Sequence, residues 1–150
     1  MFDLKNLSEL LLGNNKLTHL PINLGQLSQL NTLSVHDNQI TSLPESISSL
    51  HSLQFLVLSN NKLTTIPSSI NKLVNLKNLQ LQGNLITSIP YEINELVNLI
   101  EINIANNLLT EIPVEIGSLV NLRKIYLNNN KLKDIPGKFY IKVYSFDIFL

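Results

Sequence analysis

The stretch Leu53–Pro67, LQFLVLSNNKLTTIP, places two asparagines at the centre of an apolar run and closes it with a proline. An amide buried in such a run without a partner would cost a few kcal/mol, so Asn61 must find hydrogen bonds in the fold. Leu56 and Leu58 alternate with Phe55, Val57 and Ser59, which is the period of a strand with one set of side chains inward and the other outward. Just past that strand the chain has to turn inward, leaving backbone N–H and C=O groups beyond the reach of sheet and water. A short amide bonds both kinds. Asn61 is therefore expected to hold the turn, and the proline to fix φ and end the ladder pairing before the chain returns.

The string recurs as LNTLSVHDNQITSLP, LKNLQLQGNLITSIP, LIEINIANNLLTEIP and LRKIYLNNNKLKDIP. Leu4, Leu27, Leu50, Leu73, Leu96 and Leu119 lie 23 residues apart, as do Asn15, Asn38, Asn61, Asn84, Asn107 and Asn130, and as do all six prolines. A unit of fixed period buries its face only against its neighbours. The sequence thus predicts an α/β solenoid with a ridge-like core, strands paired in parallel about 4.8 Å apart, and the six asparagines stacked as a ladder that bonds backbone of its own and the adjacent turn. Residues 1–136 form six repeats. Residues 137–150 continue the register in degenerate form, with Lys142 and Ser145 where leucines stand elsewhere and Ile148 and Leu150 on strand positions, and are expected to cap the C-terminal end. Ahead of Leu4 there is only Met1 to Asp3, so the first strand is expected to present an uncapped edge with Leu10 and Leu12 beneath it.

Composition narrows the function. Basic and acidic residues number 11 each and balance in each half of the chain, which leaves no electrostatic footprint for nucleic acid or an anionic membrane. There is no cysteine, hence no disulfide, thiolate chemistry or Cys-based metal site, as in a reducing compartment. Neither a signal peptide nor a membrane span is readable, and the default address is the cytoplasm. Asn6-Leu7-Ser8 matches a glycosylation acceptor, a motif too short to carry weight in such a chain.

The pattern L-x-x-L-x-L-x-x-N-x-L, present as Leu53, Leu56, Leu58, Asn61, Leu63 and as Leu76, Leu79, Leu81, Asn84, Ile86, resembles the leucine-rich repeat over nearly the whole chain. The 23-residue form with L-P-x-x-I, as in LPESISSLHSL and IPSSINKLVNL, is similar to the intracellular subclass of Ras-pathway scaffold proteins and to leucine-rich repeat proteins of bacterial pathogens. The resemblance implies a curved solenoid with the parallel sheet on the concave face, short return or 3-10 segments on the convex face, and partners bound on the concave side. Some bacterial proteins of this kind carry a ubiquitin-ligase domain with a cysteine nucleophile, for which this sequence has no residue.

Catalytic chemistry finds little to work with. His19, His36 and His51 fall in different columns of the repeat and are not expected to converge. His36 and Asp37 are neighbours, but adjacent strand residues point to opposite faces and Asp37 sits at the turn. No catalytic, metal or cofactor residue is assigned. The informative positions are the variable ones on the expected concave face. They fall in three columns: Glu9, Thr32, Phe55, Asn78, Glu101, Lys124; then Leu11, Ser34, Val57, Gln80, Asn103, Tyr126; then Gly13, His36, Ser59, Gln82, Ala105, Asn128.

Most of these are small and polar. Phe55 and Val57 make a contiguous apolar spot, and Tyr126 is a second aromatic anchor. The candidate partner-binding residues are Leu11, Ser34, His36, Phe55, Val57, Gln80, Glu101, Asn103, Arg123, Lys124 and Tyr126, with Glu101, Arg123 and Lys124 as rim charges. A second stripe follows the asparagines, where Lys16, Gln39 and Lys62 give way to Leu85 and Leu108, with Ile100 expected near the latter.

The sequence thus points to a non-catalytic module that binds and regulates another protein, as scaffold or inhibitor. No nucleic acid, small-molecule substrate or cofactor is expected. Two alternatives stand beside it: a pathogen effector or effector regulator working in a host cell's cytoplasm, and a fragment of a longer receptor-like or signalling chain.

Overall fold

The computed structural model describes residues 4–135 and the strand Asp147–Phe149. Seven three-residue strands, β1 (Glu9–Leu11), β2 (Thr32–Ser34), β3 (Phe55–Val57), β4 (Asn78–Gln80), β5 (Glu101–Asn103), β6 (Lys124–Tyr126) and β7 (Asp147–Phe149), form one sheet in chain order. Every pair is parallel, and the register advances by one repeat per strand: Glu9 faces Thr32, Thr32 faces Phe55, and so on to Lys124 and Asp147. Constant repeat length dictates this register, since a slip of one residue would turn each leucine out of the core.

Each return leg is a five-residue 3-10 helix: Ile22–Gln26, Glu45–Ser49, Ser68–Lys72, Tyr91–Glu95 and Val114–Ser118. The preceding proline is extended, with φ −71° and ψ 145° at Pro44. Its carbonyl accepts the first turn's bond, as from Ile47 N at 3.0 Å and Ile70 N at 3.0 Å. A leg this short is suited to the tighter i→i+3 coil, and it buries one side chain apiece: Leu24, Ile47, Ile70, Ile93 and Ile116. With strands on one side and bulkier coils on the other, the stack is a curved solenoid with the sheet on its concave face.

Between the two layers runs a single continuous core, from Leu20 to Leu127. Leu56, Leu79, Ile102 and Ile125, opposite one another in register, have no exposed surface, and each such side chain contributes roughly 2 kcal/mol of transfer free energy. At the first repeat Leu7, Leu10, Leu12 and Leu17 are only partly buried, and among the described residues β1 pairs with β2 alone. At the other end the backbone of β7 pairs with β6, Ile148 opposite Ile125. Lys142, Ser145 and Leu150, on which the expected C-terminal cap also rests, lie outside the described residues.

The asparagine turns have a repeating geometry. Asn61 Nδ2 donates to the carbonyls of Leu58 (3.1 Å) and Ser59 (3.2 Å) in its own turn and of Val35 (3.0 Å) in the preceding repeat, while its Oδ1 accepts from Ile40 N (2.9 Å). Asn38, Asn84, Asn107 and Asn130 repeat the bridge one repeat apart, with Oδ1 taking Leu17 N, Leu63 N, Ile86 N and Leu109 N; Asn38 and Asn107 also reach two carbonyls of their own turn, Asn84 and Asn130 one, Leu81 O and Leu127 O. One side chain thus serves turn groups that no sheet bond reaches, and stitches each repeat to the one before it.

The other asparagine of the opening stretch has a separate task. Asn14, Asp37, Asn60, Asn106 and Asn129 have φ between 52° and 57°, and Gly83, in the same column, has φ 71°. The strand leaves through a left-handed residue, which Asn, Asp and Gly tolerate best.

Candidate binding face

Outward residues of successive strands form columns on the concave face because period-2 geometry and identical register put them there. Phe55 is 42 % exposed and Val57, two residues on, is half-buried. Three strands away, about 14 Å at the usual strand spacing, Tyr126 is half-buried. Leu11, on the first strand, is exposed. The structure thus brings Phe55 and Val57 together and sets Leu11 and Tyr126 apart from them toward the two ends.

The polar members are tied to one another. Ser34 is 8 % exposed, and its Oγ lies 2.9 Å from His36 Nδ1, while Asn14 Nδ2 donates to Nε2 at 3.2 Å. The imidazole lies above a hydroxyl that is itself covered. Gly13 makes room for the ring, since a Cβ there would overlap it. One expectation is corrected: His36 and Asp37 do not diverge. His36 Nε2 lies 3.9 Å from Asp37 Oδ2, because Asp37 takes the left-handed turn conformation and strand alternation has ended.

Farther along, Gln80 Nε2 donates to Asn78 Oδ1 (2.8 Å) and Glu101 Oε1 (3.0 Å), and Lys124 Nζ lies 3.8 Å from Glu101 Oε2. Asn103 Oδ1 accepts from Ala105 N at 3.1 Å. Strands β4 to β6 therefore present a cross-linked polar lattice with few rotamers left to freeze on binding. Glu101 and Lys124 offset each other as rim charges, whereas Arg123 is exposed beside them.

A second correction concerns Ile100. It does not join Leu108 on the asparagine edge; it precedes β5 at the opposite end of the strand, in the row of Lys77 and Arg123. There it lines a depression of about 280 Å³ with Lys77, Asn98, Asn121 and Arg123, and a smaller one of about 170 Å³ with Phe55, Lys77, Asn78 and Glu101. Sequence reasoning passed over Lys77 and misplaced Ile100 although the signal was readable: an apolar residue flanked by cations at one column of three successive repeats. Among the described residues no group of His, Asp and Glu is placed to hold a metal, and no helix is long and apolar enough to cross a membrane. His19, His36 and His51 remain in separate columns.

The leucine-rich repeat family model matches residues 5–63, 28–86 and 74–132. The chain belongs to the leucine-rich repeat family, whose members are generally non-enzymatic binding scaffolds. None of the curated proteins compared matches it. Among solved structures it is similar to a leucine-rich repeat protein of Leptospira interrogans, with 40 % identity over 91 % of this chain and 35 % of that one and a TM-score of 0.86. It is similar as well to the ectodomain of the Arabidopsis thaliana membrane receptor kinase GASSHO1/SCHENGEN3, solved in complex with CASPARIAN STRIP INTEGRITY FACTOR 2. There the identity is 32 % over 98 % of this chain and 18 % of the receptor, with a TM-score of 0.89. A third likeness is the plant peptide hormone receptor RGFR1 in complex with RGF2, with 36 % identity over 87 % of this chain and 22 % of that one and a TM-score of 0.80. The chain spans about a third or less of the length of these relatives.

Proposed function

We propose that this chain is a non-catalytic protein-binding module that recognises and regulates a partner protein, as scaffold or inhibitor, through its concave face. The observation that carries the reading is the exposed Phe55 with Val57 on one strand, next to a face whose polar side chains are already ordered by mutual hydrogen bonds. A rigid aromatic on a pre-ordered surface is the kind of anchor that dominates interfaces. The two plant receptors solved with a bound factor or peptide hormone support recognition of a protein or peptide over a small-molecule role. The proposed address is the cytoplasm, supported by the absence of cysteine. The likeness to a Leptospira protein supports, as a second reading, an effector acting in a host cell's cytoplasm.

The test is a titration of Phe55→Ala, Tyr126→Ala and Lys72→Ala against the partner recovered by affinity capture. Lys72 is exposed on a return leg. Each aromatic variant is expected to bind about tenfold or more weakly with the fold unchanged, and Lys72→Ala to bind normally. Weakening by Lys72→Ala alone would move the site to the convex side.

A further inference from the structure

Lys77, Ile100 and Arg123 stand directly before β4, β5 and β6, and their backbones are locked in one row: Ile100 N donates to Lys77 O at 2.8 Å and Arg123 N to Ile100 O at 2.7 Å. Two strand spacings put the two cations about 10 Å apart along the row, with Ile100, 44 % exposed, between them. Asn98 and Asn121, which complete the larger depression, each donate one N–H to a neighbouring carbonyl, Val74 O and Val97 O, at 2.8 Å. Those bonds fix the amides and leave a second N–H on each. Among the described residues no carboxylate lies within ion-pair reach of Lys77 or Arg123; Glu101, in the smaller depression, is engaged by Lys124 and Gln80. Two unmatched cations, fixed amide donors and an apolar floor make a site for an oxyanion carried on an apolar body. The smaller depression, which shares Lys77 and Ile100 and adds Phe55, supplies an apolar seat next to it.

We propose that this double depression is the subsite for an extended acidic segment of the partner protein. An Asp or Glu side chain sits between Lys77 and Arg123 over Ile100, and a large aliphatic side chain of the same segment lies beside Phe55. Phe55 stands on β3 and Ile100 just before β5, so the two seats are offset by one to two strand spacings, roughly 5–10 Å, a range that brackets the ~6.7 Å between alternate residues of an extended chain, whose side chains share a face. The recognised pattern is therefore an aliphatic residue two positions from an acidic one. This rests on the proposed binding role of the concave face and extends it to the rim where the strands begin.

The experiment is an amide-resolved NMR titration of the full chain with an acetylated, amidated peptide of sequence Glu-Ser-Leu-Ser-Glu, which offers the pattern in both directions. Signals of Lys77, Ile100 and Arg123 are expected to move. Lys77→Gln and Arg123→Gln are each expected to weaken binding about fivefold, and more at low salt than at high, while Lys72→Gln leaves it unchanged. Peptides with Gln for Glu, or with Ser for Leu, should bind several-fold more weakly. The proposal is overturned if those signals stay still at millimolar peptide, or if the Gln peptide binds as well as the Glu peptide. It is also overturned if inorganic phosphate alone moves the same signals as far, which would mean a bare anion site. Failure of the wider reading is distinguishable: Tyr126→Ala would then bind the captured partner normally, with Phe55→Ala and Lys77→Gln still weakening it.

Discussion

The turn of the first repeat and the turns of the third to fifth carry the same asparagine in the same column and differ in what surrounds it. Asn61, Asn84 and Asn107 are buried and reach back to a preceding repeat. Asn15 is exposed, and its Nδ2 bonds only Leu12 O and Gly13 O of its own turn, both at 3.0 Å. No described repeat lies before it to supply the N–H that the other Oδ1 atoms accept. Identical residues thus differ in what they contribute, because a repeat protein draws its stability from interfaces between units as well as from the units.

The largest expected effect follows directly. Asn61→Leu strips four hydrogen bonds from buried backbone and is expected to cost about 3 kcal/mol. Asn15→Leu, at a site where water replaces the amide, should cost less than about 0.5 kcal/mol. Urea unfolding followed by circular dichroism measures both. Equal costs would break the comparison and mean that the asparagine acts within its own turn only.

A middle-sized effect belongs to the left-handed column beside the ladder. Gly83 has φ 71°, and a Cβ there would press on the Asn60 amide oxygen, so Gly83→Ala is expected to lose about 1–2 kcal/mol. Asn60→Gly should be nearly neutral although it deletes the 2.9 Å bond to Asp37 Oδ1, because that bond is exposed. If melting temperature falls as far for Asn60→Gly as for Gly83→Ala, the side-chain bond and not the backbone conformation governs the column.

These pairs show which features a sequence carries openly. Strict recurrence of Leu and Asn at 23 residues dictated the parallel register, the ridge-like core and the position of each ladder asparagine, since all three depend only on spacing. Asn60 was legible too, because Asn, Asp or Gly fills that column in all six repeats, but its meaning lies in φ and periodicity says nothing of φ. The concave columns were legible as positions and opaque as surfaces. That Ser34 lies under His36, or that Glu101 is held by Gln80 and Lys124, depends on rotamers and on neighbours 21 to 23 residues away. Ile100 was placed at the wrong end of its strand because it was grouped by its hydrophobicity with Leu108 and not by its column.

The smallest effect concerns a second row of asparagines on the return side. Asn75, Asn98 and Asn121 each donate to the backbone carbonyl one repeat back, His51 O, Val74 O and Val97 O, at 2.8 Å. The bonds are as short as those of the inner ladder, yet all three side chains are exposed. In the second and third repeats Gln29 and Ser52 hold this position, so among these repeats the row begins only at the fourth. If burial and not bond length decides the contribution, Asn75→Ala should cost no more than about 0.5 kcal/mol, against about 3 for Asn61→Leu. Conversely, Ser52→Asn places an amide where it can donate to Ser28 O and lengthens the row by one rung, with an expected gain of about 0.5 kcal/mol. Both changes are read from the shift in urea midpoint at constant slope. A loss of 2 kcal/mol or more for Asn75→Ala would show that an exposed inter-repeat bond holds the stack as firmly as a buried one, and the contrast between Asn15 and Asn61 would then have to rest on the number of bonds rather than on their access to water.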